Sequence, residues 1–93
     1  MSIKPEETLI VGSWVMENNR VVSDPGEKRI YHLATNELDR VATSQSGWEV
    51  LYRDPQDGRD WEMFYPHGEM HAGGPVSLRV LDPKSAEEKY GTQ

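Results

Sequence analysis

Two short runs of aromatic and apolar residues, separated by a six-residue turn sequence, constrain this chain more than any other feature. The runs are Trp48–Arg53 and Asp60–Tyr65, and the sequence between them is Asp-Pro-Gln-Asp-Gly-Arg. Proline fixes φ and Asp-Gly tolerates a positive φ, so this composition favours a tight reversal of the chain. Aromatic and β-branched residues are typical of strands. The sequence therefore predicts one antiparallel hairpin.

The alternation of side chains predicts the register of this hairpin. Pairing Arg53 with Asp60 sets Tyr52 opposite Trp61 and makes one face aromatic and apolar. A slip by one residue would set tryptophan against glutamate, which disfavours the other register. We expect Trp48 and Trp61 to be buried together on this face beneath a helix. The charged residues of the other face are expected to point outward.

The flanking segments predict a small α+β domain. Apolar residues on both faces indicate a covered strand, Asn-Asn indicates a turn, and Asp-Pro followed by periodic apolar residues indicates a helix start. The predicted elements are strands over Leu9–Glu17, Arg20–Ser23, Leu38–Thr43 and Val76–Leu81, a helix from Pro25 to Thr35 capped by Asp24, and a helix from about Lys84 to Tyr90 stopped by Gly91.

These elements predict a mostly antiparallel sheet of five or six short strands with two helices. At least one helix must pack on the aromatic face, because that face has to be removed from water. The length of 93 residues suits a single domain over residues 1–93, with residues 1–7 as a loosely held lead-in.

Composition excludes several classes of partner and site. The chain has no cysteine, which excludes disulfides and thiolate zinc sites. A net charge of −6 argues against nucleic acid or anionic membrane as a partner. The residues from Glu37 to Glu69 include eight acidic side chains and three arginines, a net charge of −5. The longest apolar run is too short to span a bilayer, and its acidic flank does not suit a signal peptide, so we expect a cytoplasmic protein.

The segment His67-Gly-Glu69-Met-His71 is the strongest candidate for chemistry. In an extended segment, residues two apart share a face, so both histidines and Glu69 could converge on zinc and leave a position open for water. A small metal-dependent hydrolase is therefore one alternative function. The competing interpretation is a glycine-rich loop with solvated histidines, which is favoured because no fourth ligand is evident.

The other candidate catalytic patterns are weaker. The carboxylates of Asp54, Asp57, Asp60 and Glu62 surround a turn in which Pro55 breaks the spacing of a calcium loop. The serines lie in no nucleophile elbow, and the glycines near residue 74 lack the lysine and helix of a phosphate loop. We expect no enzymatic activity and no cofactor.

The central stretch resembles the immunity protein 27 family. The resemblance extends over roughly Leu9 to Tyr90 and includes Gly12-Ser13-Trp14, Ser46-Gly47-Trp48-Glu49, Leu51-Tyr52-Arg53-Asp54-Pro55, Asp57-Gly58-Arg59, Trp61-Glu62, Tyr65-Pro66, Glu69-Met70-His71, Gly73-Gly74-Pro75 and Glu88-Lys89-Tyr90. That family belongs to bacterial polymorphic toxin systems, including contact-dependent growth inhibition.

The resemblance implies a protein that binds and neutralises a cognate toxin domain in the cytoplasm of the producing cell. An acidic hairpin suits the basic cleft of a nuclease-like toxin. The residues expected to contact the toxin are Glu49, Asp54, Asp57, Asp60, Glu62, Phe64 and Glu69. A non-catalytic subunit of a larger assembly remains the other alternative, and the sequence leaves the oligomeric state open.

Overall fold

The computed structural model describes residues 3–23, 25–66 and 75–91, with the backbone alone for residues 14–17 and 21–23. Within these residues the chain forms seven strands and two α-helices. In chain order they are β1 (Leu9–Val11), β2 (Trp14–Glu17), β3 (Arg20–Ser23), α1 (Pro25–His32), β4 (Asp39–Thr43), β5 (Val50–Arg53), β6 (Asp60–Phe64), β7 (Ser77–Leu81) and α2 (Pro83–Tyr90).

Five strands make one antiparallel sheet in the order β1-β7-β6-β5-β4, and β2 and β3 make a separate hairpin. This arrangement confirms the predicted α+β class with a mostly antiparallel sheet and two helices. The predicted central hairpin is β5–β6, and its register is confirmed. Arg53 pairs with Asp60 and Tyr52 pairs with Trp61.

The predicted strand Leu9–Glu17 is wrong, because the chain leaves the central sheet at Gly12. The Gly12 N–H still donates to the Val76 carbonyl at 3.0 Å, and a Cβ at this position would lie 2.4 Å from that oxygen and 3.0 Å from the Glu27 Cβ. Only glycine fits there, and the strand beyond it belongs to the separate hairpin. The predicted turn of that hairpin is confirmed by φ values of 51° at Asn18 and 62° at Asn19.

Helix α1 ends at His32, before the predicted end at Thr35, but a turn of different winding continues the helical segment to Glu37. After His32 the chain makes a π-helical turn, Leu33–Glu37, closed by the Leu38 N–H donating to the Leu33 carbonyl at 2.9 Å. The predicted cap, Asp24, lies outside the described residues.

The observed ends of α2 confirm the start and the stop that the sequence predicts. The Asp82 side chain accepts from the Ser85 N–H at the first turn, and Gly91 ends the helix with a φ of 67°. Capping of this kind satisfies backbone groups that the helix ends would leave open.

One face of the sheet packs against α1, as predicted for the aromatic face. Ile30 and Leu33 are fully buried there in one cluster with Trp61 and Leu78. The expectation that Trp48 is buried with Trp61 is wrong, because Trp48 precedes β5 at the end of the sheet and is 54% exposed. We call this side the core face.

The other face of the sheet lies under α2, which corrects the expectation that it points outward. Leu51 and Glu62 are cross-strand neighbours on this face and are fully buried. Ala86 of α2 is 1% exposed, and Tyr90 at the end of α2 contacts Glu62. We call this side the charged face.

The N-terminal segment is attached to the domain from Ile3 onward, in contrast to the loosely held lead-in expected there. Ile3 is buried in the core cluster. The Arg59 guanidinium donates to the backbone carbonyls of Glu7 at 2.6 Å and Lys4 at 3.1 Å, and Arg29 makes two hydrogen bonds of 2.7 Å with the Glu7 carboxylate. These contacts fix the segment against the hairpin turn and α1.

Candidate functional site

The central hairpin carries most of the residues that the sequence predicts to contact a toxin. Six of the seven, all except Glu69, lie within the described residues. The two histidines of the candidate zinc site, His67 and His71, also lie outside them. The structure separates the six described residues into a buried group and a more accessible group.

Glu62 belongs to the buried group, although its sequence position suggests an exposed strand carboxylate. Its Oε1 accepts from Arg79 Nε at 2.8 Å and Arg79 Nη2 at 2.6 Å, and its Oε2 accepts from the Tyr90 hydroxyl at 2.7 Å. The Lys89 ammonium lies 2.5 Å from Oε2. All four contacts come from β7 and α2, so this carboxylate attaches α2 to the sheet.

The titration of this cluster reflects the balance between burial and hydrogen bonding. Burial alone would raise the pKa of Glu62, but hydrogen bonds from Lys89, Tyr90 and Arg79 outweigh it, so the pKa lies below its usual value. Burial and the hydrogen bond to Glu62 both raise the pKa of Tyr90. Glu62 is therefore an ionised acceptor that is saturated by donors from its own chain.

Asp54 and Asp60 also serve the hairpin itself. Asp54 is 4% exposed, and its Oδ1 accepts from the Gln56 N–H at 2.9 Å, which shapes the turn. The Asp60 carboxylate is 9% exposed and pairs with Arg53 Nε at 2.9 Å. Neither side chain offers much surface to a partner.

Asp57, at the hairpin turn, is more accessible but also bound within the chain. Its carboxylate is 33% exposed and accepts from both the backbone and the side chain of Arg59. The hydrogen bond from the Arg59 backbone N–H is the first cause of a lowered pKa at Asp57. Asp57 therefore retains its charge while helping to position Arg59 on the N-terminal segment.

Glu49 and Phe64 lie at the open end of the hairpin, away from the turn. The Glu49 carboxylate is 28% exposed and lies 3.4 Å from the Lys89 ammonium. Phe64 is partly buried, and the Arg79 guanidinium carbon lies 4.1 Å from its ring centroid. These two residues keep part of their surface available to a partner.

Sequence reasoning missed an aromatic group at the same open end, formed by Tyr31, Trp48 and Tyr65, which we call the aromatic patch. The rings of Trp48 and Tyr65 meet edge to face, with centroids 5.6 Å apart and an interplanar angle of 86°. Tyr31, from α1, is 46% exposed and lies near Tyr65. One sequence feature could have indicated that Trp48 is exposed: it lies directly after Gly47, before the regular strand begins.

The described residues contain no group of three or more histidine, cysteine or acidic side chains that could hold a metal ion. Likewise, none of the helices within the described ranges is long and apolar enough to cross a membrane.

Comparison with known proteins decides the family. The family model of Immunity protein 27 matches residues 16–82, which is more than half of the chain. The chain belongs to the immunity protein 27 family. No curated protein and no solved structure gives a significant match.

Membership in the immunity protein 27 family identifies the chain as an immunity protein, and its partner is a cognate toxin protein. The matched range contains the whole β5–β6 hairpin, together with Trp48, Tyr65 and Glu62. Immunity proteins are generally non-catalytic.

Proposed function

We propose that this protein protects the producing cell by binding a basic, nuclease-like toxin domain in the cytoplasm and covering its active cleft, without catalysing a reaction. The observation that carries the proposal is the family match over residues 16–82. The net charge of −6 supports a basic partner, since opposite charge increases the rate of encounter.

The pairing of charges within the fold also supports a basic partner. Four arginines are held in ion pairs with carboxylates of the chain: Arg29, Arg53, Arg59 and Arg79. On α2, the exposed Glu87 and Glu88 lie beside Lys89, which is directed toward Glu62 and Glu49. The charges of these basic side chains are thus balanced by ion pairs within the chain, whereas Glu87 and Glu88 face solvent.

We propose a smaller set of residues that contact the toxin, chosen by the accessibility of each side chain. Glu49 and the part of Phe64 that Arg79 leaves uncovered are accessible at the open end of the hairpin, while Asp57 is accessible at the turn. We assign Asp54, Asp60 and Glu62 a supporting role, because their carboxylates are already bound within the hairpin or to α2.

The proposal can be tested with the cognate toxin domain, which we expect to be encoded next to this chain. Co-expression is expected to restore growth, and the purified proteins are expected to form a complex whose association rate falls as salt increases. Glu49→Gln is expected to slow association about 3-fold, whereas the matched variant Asp39→Asn, which removes an exposed carboxylate on the edge strand β4 outside the proposed contact set, should have a smaller effect.

Two results would contradict the proposal. One is a toxin that stays active, and cells that die, despite normal amounts of folded protein. The other is turnover of a toxin substrate or toxin product by the purified chain alone, since that would make protection catalytic.

A further inference from the structure

Three aromatic rings of the described chain already carry a cation from the same chain. The Arg59 guanidinium lies 5.0 Å from the Trp61 ring centroid, and the Arg79 guanidinium lies 4.1 Å from that of Phe64. A third contact, 5.7 Å long, joins the Lys89 ammonium to the Tyr90 ring. Cations are attracted to the negative face of an aromatic ring, most strongly to tryptophan.

The aromatic patch differs from these three rings because no described cation of the chain covers it. Among the described side chains, no lysine or arginine lies over the rings of Tyr31, Trp48 or Tyr65. Trp48 is 54% exposed and Tyr31 is 46% exposed, which makes them the most exposed aromatic side chains in the described part of the protein. The fold therefore leaves aromatic surface open at the end of the hairpin, while it covers comparable rings elsewhere with its own cations.

The patch is also held in place before any partner arrives. Trp48 packs edge to face on Tyr65, and its backbone N–H donates to the Ser46 hydroxyl at 3.3 Å. Tyr65 follows directly on β6, and Tyr31 is fixed by α1 between the buried Ile30 and the buried Leu33. Side chains that are ordered in the free protein lose little conformational entropy on binding.

We propose that the aromatic patch is the anchor site for the toxin and that it receives an arginine or lysine side chain of a basic toxin surface. The proposal rests on the proposed function and deepens it by naming the contact. Charge complementarity selects this occupant: the chain carries a net charge of −6, and Glu49 directly follows Trp48 in sequence. Tryptophan and tyrosine are the residues most often found to dominate interface energetics.

The test measures the affinity of the protein for the same cognate toxin domain. Trp48→Ala and Tyr31→Ala are each expected to raise Kd by about 30-fold or more, the size of effect expected for an interface hot spot. Trp48→Leu keeps apolar bulk but removes the ring, so it is expected to weaken binding nearly as much. Tyr31→Phe keeps the ring and is expected to bind within about 3-fold of the wild type.

Leu9→Ala is the matched control, because Leu9 is also 54% exposed but is aliphatic and lies on β1, at the edge of the sheet. It is expected to leave Kd within about 3-fold. Circular dichroism and thermal unfolding of each variant establish that it is folded. If Trp48→Ala does not fold, Trp48→Leu and Tyr31→Ala provide the test.

Different outcomes separate the failure of this inference from the failure of the proposed function. Wild-type protein that neither binds nor neutralises the toxin overturns the function. Wild-type protein that does both, with unchanged affinity in Trp48→Ala and Tyr31→Ala, overturns only the anchor site. Normal affinity in Trp48→Leu would show that bulk, not a cation contact, is recognised. If gel filtration shows that the wild type self-associates and Trp48→Ala does not, while toxin affinity is unchanged, the patch binds a second copy of the chain and the anchor site is overturned.

Discussion

The two faces of the central sheet are both covered by a helix, but by different chemistry. On the core face, α1 excludes water from an apolar cluster that includes Trp61 and Ile30. On the charged face, α2 is attached through the ionised Glu62, which binds groups of Arg79 and Tyr90. The comparison shows that an alternating strand pattern identifies the face that must be buried, but does not show that the other face stays in water.

The two kinds of burial also predict different responses to perturbation. Apolar burial depends on shape and area and is insensitive to pH. A buried carboxylate depends on its ionisation and on each of its donors, since an unpaired polar group in the interior is costly. Stability measurements on single variants can therefore separate the contributions of the two faces.

The largest effect is expected for Trp61→Ala on the core face. Trp61 is fully buried, so the substitution removes its apolar contacts and leaves a cavity, at a cost of about 3–5 kcal/mol in the free energy of unfolding. Urea denaturation measures this loss. The same substitution at the half-exposed Trp48 is the control, and equal losses at the two positions would contradict the assigned packing.

A smaller loss, about 1.5–3 kcal/mol at pH 7, is expected for Glu62→Gln on the charged face. The substitution keeps the shape but removes the charge that accepts hydrogen bonds from the Arg79 guanidinium and from Tyr90. Parallel urea denaturation of wild type and variant gives the difference.

The same pair of proteins tests the sign of the pH dependence. The pKa of Glu62 is lowered in the folded state, so its contribution is fully present above the unfolded pKa of about 4.3 and is lost as pH falls through the folded pKa. The stability difference between wild type and Glu62→Gln should therefore narrow below about pH 4. The carboxylate of Glu7, whose pKa is lowered to about 2 by the hydrogen bond from Arg29, adds acid sensitivity to both proteins equally. A constant difference down to pH 2 would indicate that the charge of Glu62 is not stabilising.

The smallest effect is expected for Tyr90→Phe, which removes one donor to Glu62 and leaves the ring in place. A single hydrogen bond of this kind contributes about 0.5–1.5 kcal/mol, and the remaining contacts with Arg79 and Lys89 still satisfy the carboxylate. Thermal unfolding with a matched Tyr65→Phe variant measures it. No loss in Tyr90→Phe would argue that the Tyr90 hydroxyl does not contribute to the attachment of α2.

The sequence was sufficient for the features that depend on local pattern. The register of β5 and β6 follows from alternation, and the ends of α2 follow from Asp82 and Gly91. The break at Gly12 could not be foreseen, because the crowding there comes from Glu27 and Val76, which are distant in the chain. A two-sided apolar run is compatible with either one long strand or two short ones.

The candidate site was predicted less well than the fold, for a related reason. Glu62 has the sequence context of a surface carboxylate, and its donors are supplied 17 and 28 residues later, by β7 and α2. Trp48 has the context of a core residue, but the sheet ends before a helix can cover it. Side-chain type and alternation place a residue on a face, whereas the accessibility of that face depends on where distant helices end.

The pairing of β1 with β7 has a consequence for how the protein is made. Among the described strands of the central sheet, β1 pairs only with β7, so β1 has no partner there until Ser77–Leu81, much later in the chain, has also emerged. Such non-local pairing is slow relative to the closure of the β5–β6 hairpin. A nascent chain therefore holds β1 unpaired in this sheet until Ser77–Leu81 has emerged, so completion of the sheet follows closure of the central hairpin.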